Sequence, residues 1–399
     1  MEITVKKIRP AIVKLSNIIH FEVRFFRNER LFTPGPVEIP EGIRTVLSAQ
    51  IIHHRTPEFR DAFLEVRDLF KSMLEDDSDN FVFFASSGTG AMEAAVLNFF
   101  KRGEKVISVV GGKFGERWSE IARLHGLEVI DLEVEWGKSV DPQMVGELLK
   151  KNPDCRGVLI QASESSTGAF HDIKSVGRIV KDSDALLVVD AITALGVYRI
   201  VPSLWNIDIL VGGSQKAFML PPGLSMLWFS ERARERLFRG SYYFNVSEEV
   251  KKQSEGQTSF TPAISLILGL RESLRMLIKE GMEGVERRYR LISQGVITAC
   301  ERLGLKLLAE NPSISLTALL PPEGLEAEDI RREMIKMGVR VAGGQGPLKG
   351  RIIRISHMGM DYLDMTVALS SLEMALRRLG RDTIPGSGVG AYLEVISAG

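Results

Sequence analysis

Two residues that can do covalent and proton-transfer chemistry each follow a short apolar run near the middle of the chain. Asp190 closes the run 186–189, and Lys216 follows the run 207–211 after Gly212-Gly213-Ser214-Gln215. Apolar runs of this length, bounded by turn residues, are typical of parallel strands buried on both faces. Desolvating a charge at the end of such a strand is costly unless the charge is paired. The positions of both residues therefore indicate a function rather than a packing role.

The chemistry available to this pair points to one cofactor. Ligands of open α/β sheets bind in the crevice at the carboxyl ends of the strands. A lysine amine can form a Schiff base, and a carboxylate can pair with a pyridinium nitrogen, so Lys216 and Asp190 could hold pyridoxal phosphate. Each residue alone also fits a simpler role, a solvated loop lysine or a helix cap, but the combination favours the cofactor.

A possible phosphate site lies upstream of this pair. The predicted strand 81–85 runs into Ser86-Ser87-Gly88-Thr89-Gly90 and a predicted helix 91–100. Free backbone N–H groups and the helix dipole favour an anion at such a junction. A plain helix cap is the alternative. The loop matches neither the GxxxxGK[ST] nucleotide-binding pattern nor the GxGxxG dinucleotide pattern.

Alternating strands and helices between residues 81 and 230 predict a mostly parallel sheet, with an antiparallel return strand at 225–230. A long helical pattern follows Pro262. Residues 285–384 read as a smaller α+β unit with strands 315–320 and 351–356. The polar, aromatic segment 241–260 is predicted to be a long functional loop, and the Gly-rich tail 385–399 to lack fixed structure.

These patterns predict an α/β protein divided into four parts. An extension at 1–30 carries no motif, and a large domain spans 31–284, with 31–45 a candidate contributor to the smaller domain. The small C-terminal α+β domain spans 285–384, and the tail spans 385–399.

Composition narrows the functional classes. The chain has 399 residues, 44% hydrophobic and 26% charged, with a formal net charge of +0. This balance predicts neither a nucleic-acid partner nor a membrane partner. The 2 cysteines, Cys155 and Cys300, have no metal-type spacing, and their usage favours a reducing cytoplasm. No apolar run approaches the roughly 18 residues of a membrane span, and the N-terminus does not read as a signal peptide.

The motifs together resemble the class V aminotransferases of fold type I, and within them the alanine–glyoxylate and serine–pyruvate aminotransferase group. The resemblance covers roughly residues 31–380. It rests on seven short motifs in the family's order: Thr33-Pro34-Gly35-Pro36, Ser87-Gly88-Thr89, Phe114-Gly115-Glu116-Arg117, Glu164-Ser165-Ser166-Thr167-Gly168, Val189-Asp190, Gly213-Ser214-Gln215-Lys216 and Arg354-Ile355-Ser356-His357-Met358-Gly359.

This resemblance implies roles around a pyridoxal 5'-phosphate ring. Lys216 would carry the cofactor as a Schiff base and move the substrate's α-proton, while Asp190 would keep the pyridine nitrogen protonated. Phe114 would stack on one face of the ring and Ile192 would pack on the other. Ser165 would hydrogen-bond near the phenolic oxygen.

The resemblance also implies phosphate and substrate contacts. The phosphate would be held by Ser87, Gly88, Thr89 and Gln215, and by Thr261 of a neighbouring subunit in a homodimer with shared sites. The family's usual residues differ around 257–262, so Thr261 is the weaker assignment. Arg354 would bind the substrate α-carboxylate, with Gly35 and Ser165 also facing the substrate; a structural ion pair is the alternative role for Arg354.

The resulting expectation is an aminotransferase that moves an amino group from alanine, serine or aspartate to glyoxylate, pyruvate or 2-oxoglutarate. A dicarboxylate substrate would need a second cation, for which Arg44 and Arg55 are candidates. One alternative is a lyase or desulfurase of the same fold, which would need a mobile nucleophilic cysteine. Another is a non-catalytic α/β binding protein.

Overall fold

The computed structural model describes residues 29–399, so the predicted extension lies almost entirely outside the described residues. The strands, in chain order, are β1 (Arg30–Phe32), β2 (Phe81–Phe84), β3 (Lys105–Val110), β4 (Glu128–Glu133), β5 (Cys155–Gln161), β6 (Ser163–Glu164), β7 (Ala169–Phe170), β8 (Leu186–Asp190), β9 (Ile209–Gly213), β10 (Ser225–Phe229), β11 (Lys306–Leu307), β12 (Leu316–Leu320), β13 (Val339–Gly343) and β14 (Ile353–Ser356).

Helices alternate with these strands, and a short 3-10 turn occupies Gly346–Leu348. The α-helices are α1 (Glu41–Ser48), α2 (Pro57–Leu74), α3 (Gly88–Phe99), α4 (Lys113–Leu124), α5 (Pro142–Lys151), α6 (Ile173–Val180), α7 (Glu231–Arg234), α8 (Val246–Ser254), α9 (Ile264–Glu280), α10 (Met282–Arg302), α11 (Ala327–Lys336), α12 (Asp364–Arg378) and α13 (Ser387–Ala398). No helix in the described range is both long and apolar enough to cross a membrane.

The larger sheet has the order β2-β10-β9-β8-β5-β3-β4. Strand β10 is antiparallel to both neighbours, and the other pairs are parallel. Every residue of β8 and β9 is buried, as expected of central strands covered on both faces. Apolar cores lie on each side of the sheet. The predicted mostly parallel sheet with an antiparallel return strand is confirmed.

A second sheet has the order β1-β13-β14-β12-β11 and packs on its own apolar core. Its strand β1 runs parallel to β13, so residues near the start of the described chain complete a sheet made mainly of C-terminal residues. Strand β13 falls in a segment for which the sequence predicted no element. The predicted domain boundaries stay a prediction.

The prediction of a long loop at 241–260 is wrong, because this segment contains α8. The side chain of Asn245 caps the helix by accepting a hydrogen bond from the Glu248 N–H. The helix is tied to the sheet through buried Gln253, whose amide bonds both the N–H and the C=O of Phe83. Helical periodicity was hard to see there because only Val246 and Val250 supply aliphatic side chains.

The prediction that the tail 385–399 lacks fixed structure is also wrong. Residues 387–398 form α13, which packs along α10. Tyr392 is fully buried, and its hydroxyl donates a 2.7 Å hydrogen bond to the carbonyl of Tyr362. The glycines of this segment lower its helix propensity, and tertiary packing overcomes that cost.

Candidate active site

The large sheet brings Asp190 and Lys216 to the same edge. Asp190 is the last residue of β8 and lies opposite Val211 of the parallel strand β9. Three residues beyond the end of β9, the chain reaches Lys216. Both side chains are buried, with 5% and 8% of their surface exposed. An acid and an amine thus lie at the carboxyl end of the sheet, as the sequence predicted.

The turn at 33–36 closes over the Lys216 amine. Lys216 Nζ donates a hydrogen bond to the carbonyl of Pro34. Gly35 has a φ of +108°, and a Cβ there would lie 2.6 Å from Lys216 Cδ and 2.7 Å from Nζ. Burial lowers the pKa of Lys216 to about 8; Asp190 opposes this shift, and the charges of Arg354 and Arg117 reinforce it. The amine is therefore partly neutral near physiological pH.

The carboxyl group of Asp190 is shifted in the opposite direction. Burial raises its pKa to about 7. The N–H of Ile192, which donates a 2.8 Å hydrogen bond to Oδ1, opposes the rise, while the carboxylate of Glu164 adds to it. Lys216 and Arg117 lower the pKa by smaller amounts. A cationic group near Asp190 would therefore favour its ionised form.

Glycines let three backbone segments meet beside this pair. A Cβ on Gly88, the first residue of α3, would lie 2.5 Å from Ile192 Cδ1, and a Cβ on Gly213 would lie 3.5 Å from Gly88 Cα. Ser87 is the N-cap residue, but its exposed side chain makes no capping hydrogen bond. Gln215 Oε1 is buried and has no hydrogen-bond partner among the described residues. This corner therefore combines helix N–H groups with an unpartnered amide.

Arg117 joins the loop after β3 to this corner. Its guanidinium donates a 3.2 Å hydrogen bond to Thr89 Oγ1 and lies 4.8 Å from the centre of the Phe114 ring. The sequence assigned Arg117 no role of its own. Arg117 follows Phe114 by three residues on α4, and side chains at i and i+3 share a helix face. This spacing could have predicted the contact between the two side chains.

Arg354, near the middle of β14, is 6% exposed. Its Nη1 donates to the carbonyl of Ser165 at 2.7 Å, and its Nε donates to the carbonyl of Gly343 at 2.9 Å. Burial lowers its pKa to about 10, and the charge of Glu164 opposes that shift. Arg354 forms no ion pair within residues 29–399, so the alternative of a structural ion pair finds no support there.

Glu164 is a fully buried acid that the sequence left inside a polar loop without a role. Its Oε1 accepts hydrogen bonds from the N–H and hydroxyl of Ser166, at 3.1 and 2.5 Å. Its Oε2 accepts from the N–H groups of Phe114 and Gly115, at 3.1 and 3.0 Å. Burial raises its pKa, while these donors lower it.

The remaining candidates lie apart from this cluster. Thr261 is exposed and lines a separate small cavity with Ala85, Tyr243 and Phe260. Arg55 donates hydrogen bonds to the Gln257 side chain and to the carbonyl of Thr258. It therefore lies beside the segment that leads to Thr261.

Neither cysteine has the setting of a reactive thiolate. Cys155 and Cys300 are both buried and free. Burial raises the pKa of Cys155, and it raises the pKa of Cys300 to about 12. A desulfurase needs an accessible thiolate nucleophile, so these two residues do not suit that alternative.

Comparison with known proteins identifies the family. The model described as "Aminotransferase class-V" matches residues 45–361. The chain is 34% identical to an L-aspartate–glyoxylate aminotransferase of Paracoccus denitrificans, over 91% of this chain and 95% of the relative. It is 31% identical to a serine–glyoxylate aminotransferase of Methylorubrum extorquens, over 90% and 94%.

A solved structure gives the same answer for the fold. The aspartate aminotransferase of subgroup IV from Thermus thermophilus superposes with a TM-score of 0.83 at 32% identity, covering 88% of this chain and 99% of that one. The predicted fold type I architecture and the predicted resemblance are both confirmed. The chain therefore belongs to the class V aminotransferase family.

Proposed function

We propose that this aminotransferase uses pyridoxal phosphate to move an amino group from a small amino acid to a 2-oxo acid. The observation that carries the proposal is the buried Lys216 amine beside Asp190 at the carboxyl edge of the sheet. The names of the two relatives support serine and aspartate as donors and glyoxylate as an acceptor, and alanine is a further candidate donor. Pyruvate and 2-oxoglutarate are further candidate acceptors.

The residues present fit the cofactor. A buried polar atom without a protein partner, such as Gln215 Oε1, calls for a ligand partner. Rotation of the amide exchanges its oxygen and nitrogen, so Gln215 can offer an N–H to a phosphate oxygen. Ser87, Gly88 and Thr89 supply hydroxyl and helix N–H donors at the same corner. Phe114 and Ile192 are the residues we assign to the two faces of the ring.

When bound, pyridoxal phosphate supplies an aldehyde that exchanges amines and a ring that accepts electrons from the substrate Cα. Lys216 supplies the amine that attaches the cofactor, and its lowered pKa keeps part of it neutral and nucleophilic. The same amine would take and return the Cα proton of the substrate. Asp190 holds a proton on the pyridine nitrogen, and that positive charge in turn stabilises its carboxylate.

The substrate α-carboxylate is assigned to Arg354. Two of its N–H groups serve the carbonyls of Ser165 and Gly343, and these bonds fix the plane of the guanidinium. Nη2 makes no hydrogen bond within residues 29–399 and stays available for a charge-assisted contact. Gly35 and Ser165 are the other two residues that we assign to the substrate.

We also propose a homodimer in which Thr261 completes the phosphate site of the partner subunit. The support for this arrangement is the position and exposure of Thr261. Thr261 is exposed and lies apart from the Lys216 cluster of its own chain, and Tyr242 beside this region is 75% exposed. Exposed aromatic residues are enriched in the cores of protein interfaces. The two buried, free cysteines support a cytoplasmic location.

Lys216→Ala tests the activity. We expect purified wild-type protein to be yellow, to lose that absorbance on borohydride treatment and to transaminate. The variant should lose both the Schiff-base absorbance and turnover. Near-wild-type turnover in Lys216→Ala would refute the assignment. A matrix of amino donors against glyoxylate, pyruvate and 2-oxoglutarate then identifies the preferred pair.

Subunit mixing tests the shared site. Lys216→Ala is combined with a folded, inactive Thr261 variant under conditions that exchange subunits. A shared site predicts that some heterodimers regain one intact site. No recovered activity despite demonstrated exchange would count against it, and a monomeric mass would exclude the dimer.

A further inference from the structure

The carboxylate of Glu164 lies at a junction that the family assignment leaves without a role. It is fully buried, and each of its oxygens accepts two hydrogen bonds. One oxygen faces the first turn of α4, where Phe114 and Gly115 offer their N–H groups. The other faces Ser166 in the turn after β6. The side chain therefore joins two segments about fifty residues apart in the chain.

Residues assigned to the ligands lie on both sides of this junction. Phe114, on the α4 side, is the proposed stacking ring. Ser165, on the other side, directly follows Glu164, and its carbonyl accepts the hydrogen bond that orients Arg354. A second link joins the same two segments. The Lys113 N–H donates a 3.0 Å hydrogen bond to Ser166 Oγ, and the Ser166 hydroxyl in turn donates one to Glu164 Oε1.

Gly112 makes room for this arrangement. A Cβ at position 112 would lie 2.5 Å from both Glu164 Cδ and Ser166 Oγ. Only a residue without a side chain lets the loop before α4 lie against the carboxylate. The charge of Glu164 also acts on Arg354 and on Asp190, which places it near the groups proposed for substrate and cofactor.

We propose that Glu164 is a positioning residue of the active site, whose carboxylate holds the Phe114 ring in register with Ser165 and Arg354. The inference rests on the proposed function, since it takes the roles of Phe114 and Arg354 from it. Four donors surround the carboxyl group, and an ionised acid accepts from all of them without presenting a proton of its own. Burial away from water makes each of these bonds costly to lose.

Glu164→Gln is the direct test because it keeps the shape of the side chain. In either orientation the amide NH2 faces at least one backbone N–H, since the donors on both sides include backbone amides. The variant loses a charge-assisted hydrogen bond and leaves a buried donor unpaired. Together these effects correspond to a loss of about 10-fold or more in the binding of the amino acid. We expect the amino acid KM to rise by that factor, the circular dichroism of the cofactor absorption band to weaken, and less pyridoxal phosphate to survive dialysis.

Asp208→Asn is the matched control. Asp208 is another buried carboxylate that accepts a backbone N–H, from Leu187, together with bonds from Ser230 and Arg232. It lies at the opposite ends of the strands that carry Asp190 and Lys216. Its amide variant should lower the melting temperature and leave the cofactor band and the KM unchanged.

The outcomes separate the two proposals. A wild-type protein that neither holds pyridoxal phosphate nor transaminates refutes the proposed function itself. If the wild type is active and Glu164→Gln behaves as Asp208→Asn does, with lower stability but an unchanged cofactor band and KM, Glu164 is only structural.

If Glu164→Gln does not fold, Ser166→Ala tests the inference instead, because it removes one donor to Glu164 and the link to Lys113. It should shift the same band and KM more weakly, and wild-type values for both would overturn the inference.

Discussion

Replacing Gly35 by alanine should disable the active site through a single methyl group. The added Cβ would lie 2.6 Å from Cδ, 2.9 Å from Cε and 2.7 Å from Nζ of Lys216. Carbon atoms in contact normally stay about 3.5–4.0 Å apart, so the end of the lysine must move by about 1 Å. A displacement of that size can cost about 100-fold in rate. We therefore expect Gly35→Ala to lower kcat/KM by about 100-fold.

The backbone strain of this substitution needs its own control. Gly35 has a φ of +108°, and holding a residue with a side chain in such a conformation costs about 1–3 kcal/mol. Gly103 has a φ of +85° and no atom within 4 Å of the place where its Cβ would lie. Gly103→Ala therefore carries similar backbone strain without touching Lys216.

Steady-state kinetics and denaturant unfolding of both variants separate the two effects. Each variant should lose stability by a similar amount. Only Gly35→Ala should lose activity, and borohydride should trap less cofactor on it. Equal kcat/KM for the two variants would show that the turn at 33–36 does not set the position of the amine.

Three further predictions follow from the same site. Asp190→Asn should still bind pyridoxal phosphate but turn over far more slowly, because an amide cannot hold the pyridinium proton; normal turnover with full cofactor occupancy would leave Asp190 a structural role. Arg354→Lys should raise the amino acid KM by about 10- to 100-fold, since the three N–H groups of an ammonium radiate from one atom and lack the span of the planar guanidinium; an unchanged KM would place the substrate elsewhere. In cofactor-free protein, the pKa of Lys216 falls from 10.5 unfolded to about 8 folded, so between these values the unfolded chain binds more protons and stability rises with pH. Relative to Lys216→Met, the free energy of unfolding should increase from pH 8 to 10.5 by at most about 3 kcal/mol, and a constant difference in denaturant titrations would contradict the shift.

Strands β8 and β9, which lead to Asp190 and Lys216, could be predicted from the sequence because the apolar pattern that marks them is local. Residues 186–189 and 209–211 are apolar, and both strands are completely buried, so pattern and structure agree. Strand β13 was not predicted because it is only five residues long, Val-Arg-Val-Ala-Gly, and is partly exposed. Helix α8 was not predicted because most of its side chains are polar, although Asn245 is a residue type that favours the N-cap of a helix.

The site was harder to predict wherever it depends on contacts between distant segments. The sequence placed Glu164 in a polar loop, but the structure buries its side chain and surrounds it with four donors from two segments. No spacing rule reveals that Gly35 meets Lys216, because that contact joins residues 181 positions apart through two different sheets. Motif resemblance named Phe114 and Arg354 one by one. Only the fold shows that one buried acid connects them.

The pairing of β1 with β13 has a consequence for the order in which the protein is made. Strand β1 precedes β13 by about 300 residues, and ribosomes add about 5–20 residues per second. Roughly 15 to 60 s therefore pass between the synthesis of the two partners. The sheet that carries Lys216 has all its strands once residue 229 has emerged. The turn that covers the amine directly follows β1. Strand β13, with which β1 pairs, is synthesised only as part of the C-terminal third of the chain. A nascent chain that has not reached Val339 can thus contain Lys216 without the turn that covers its amine.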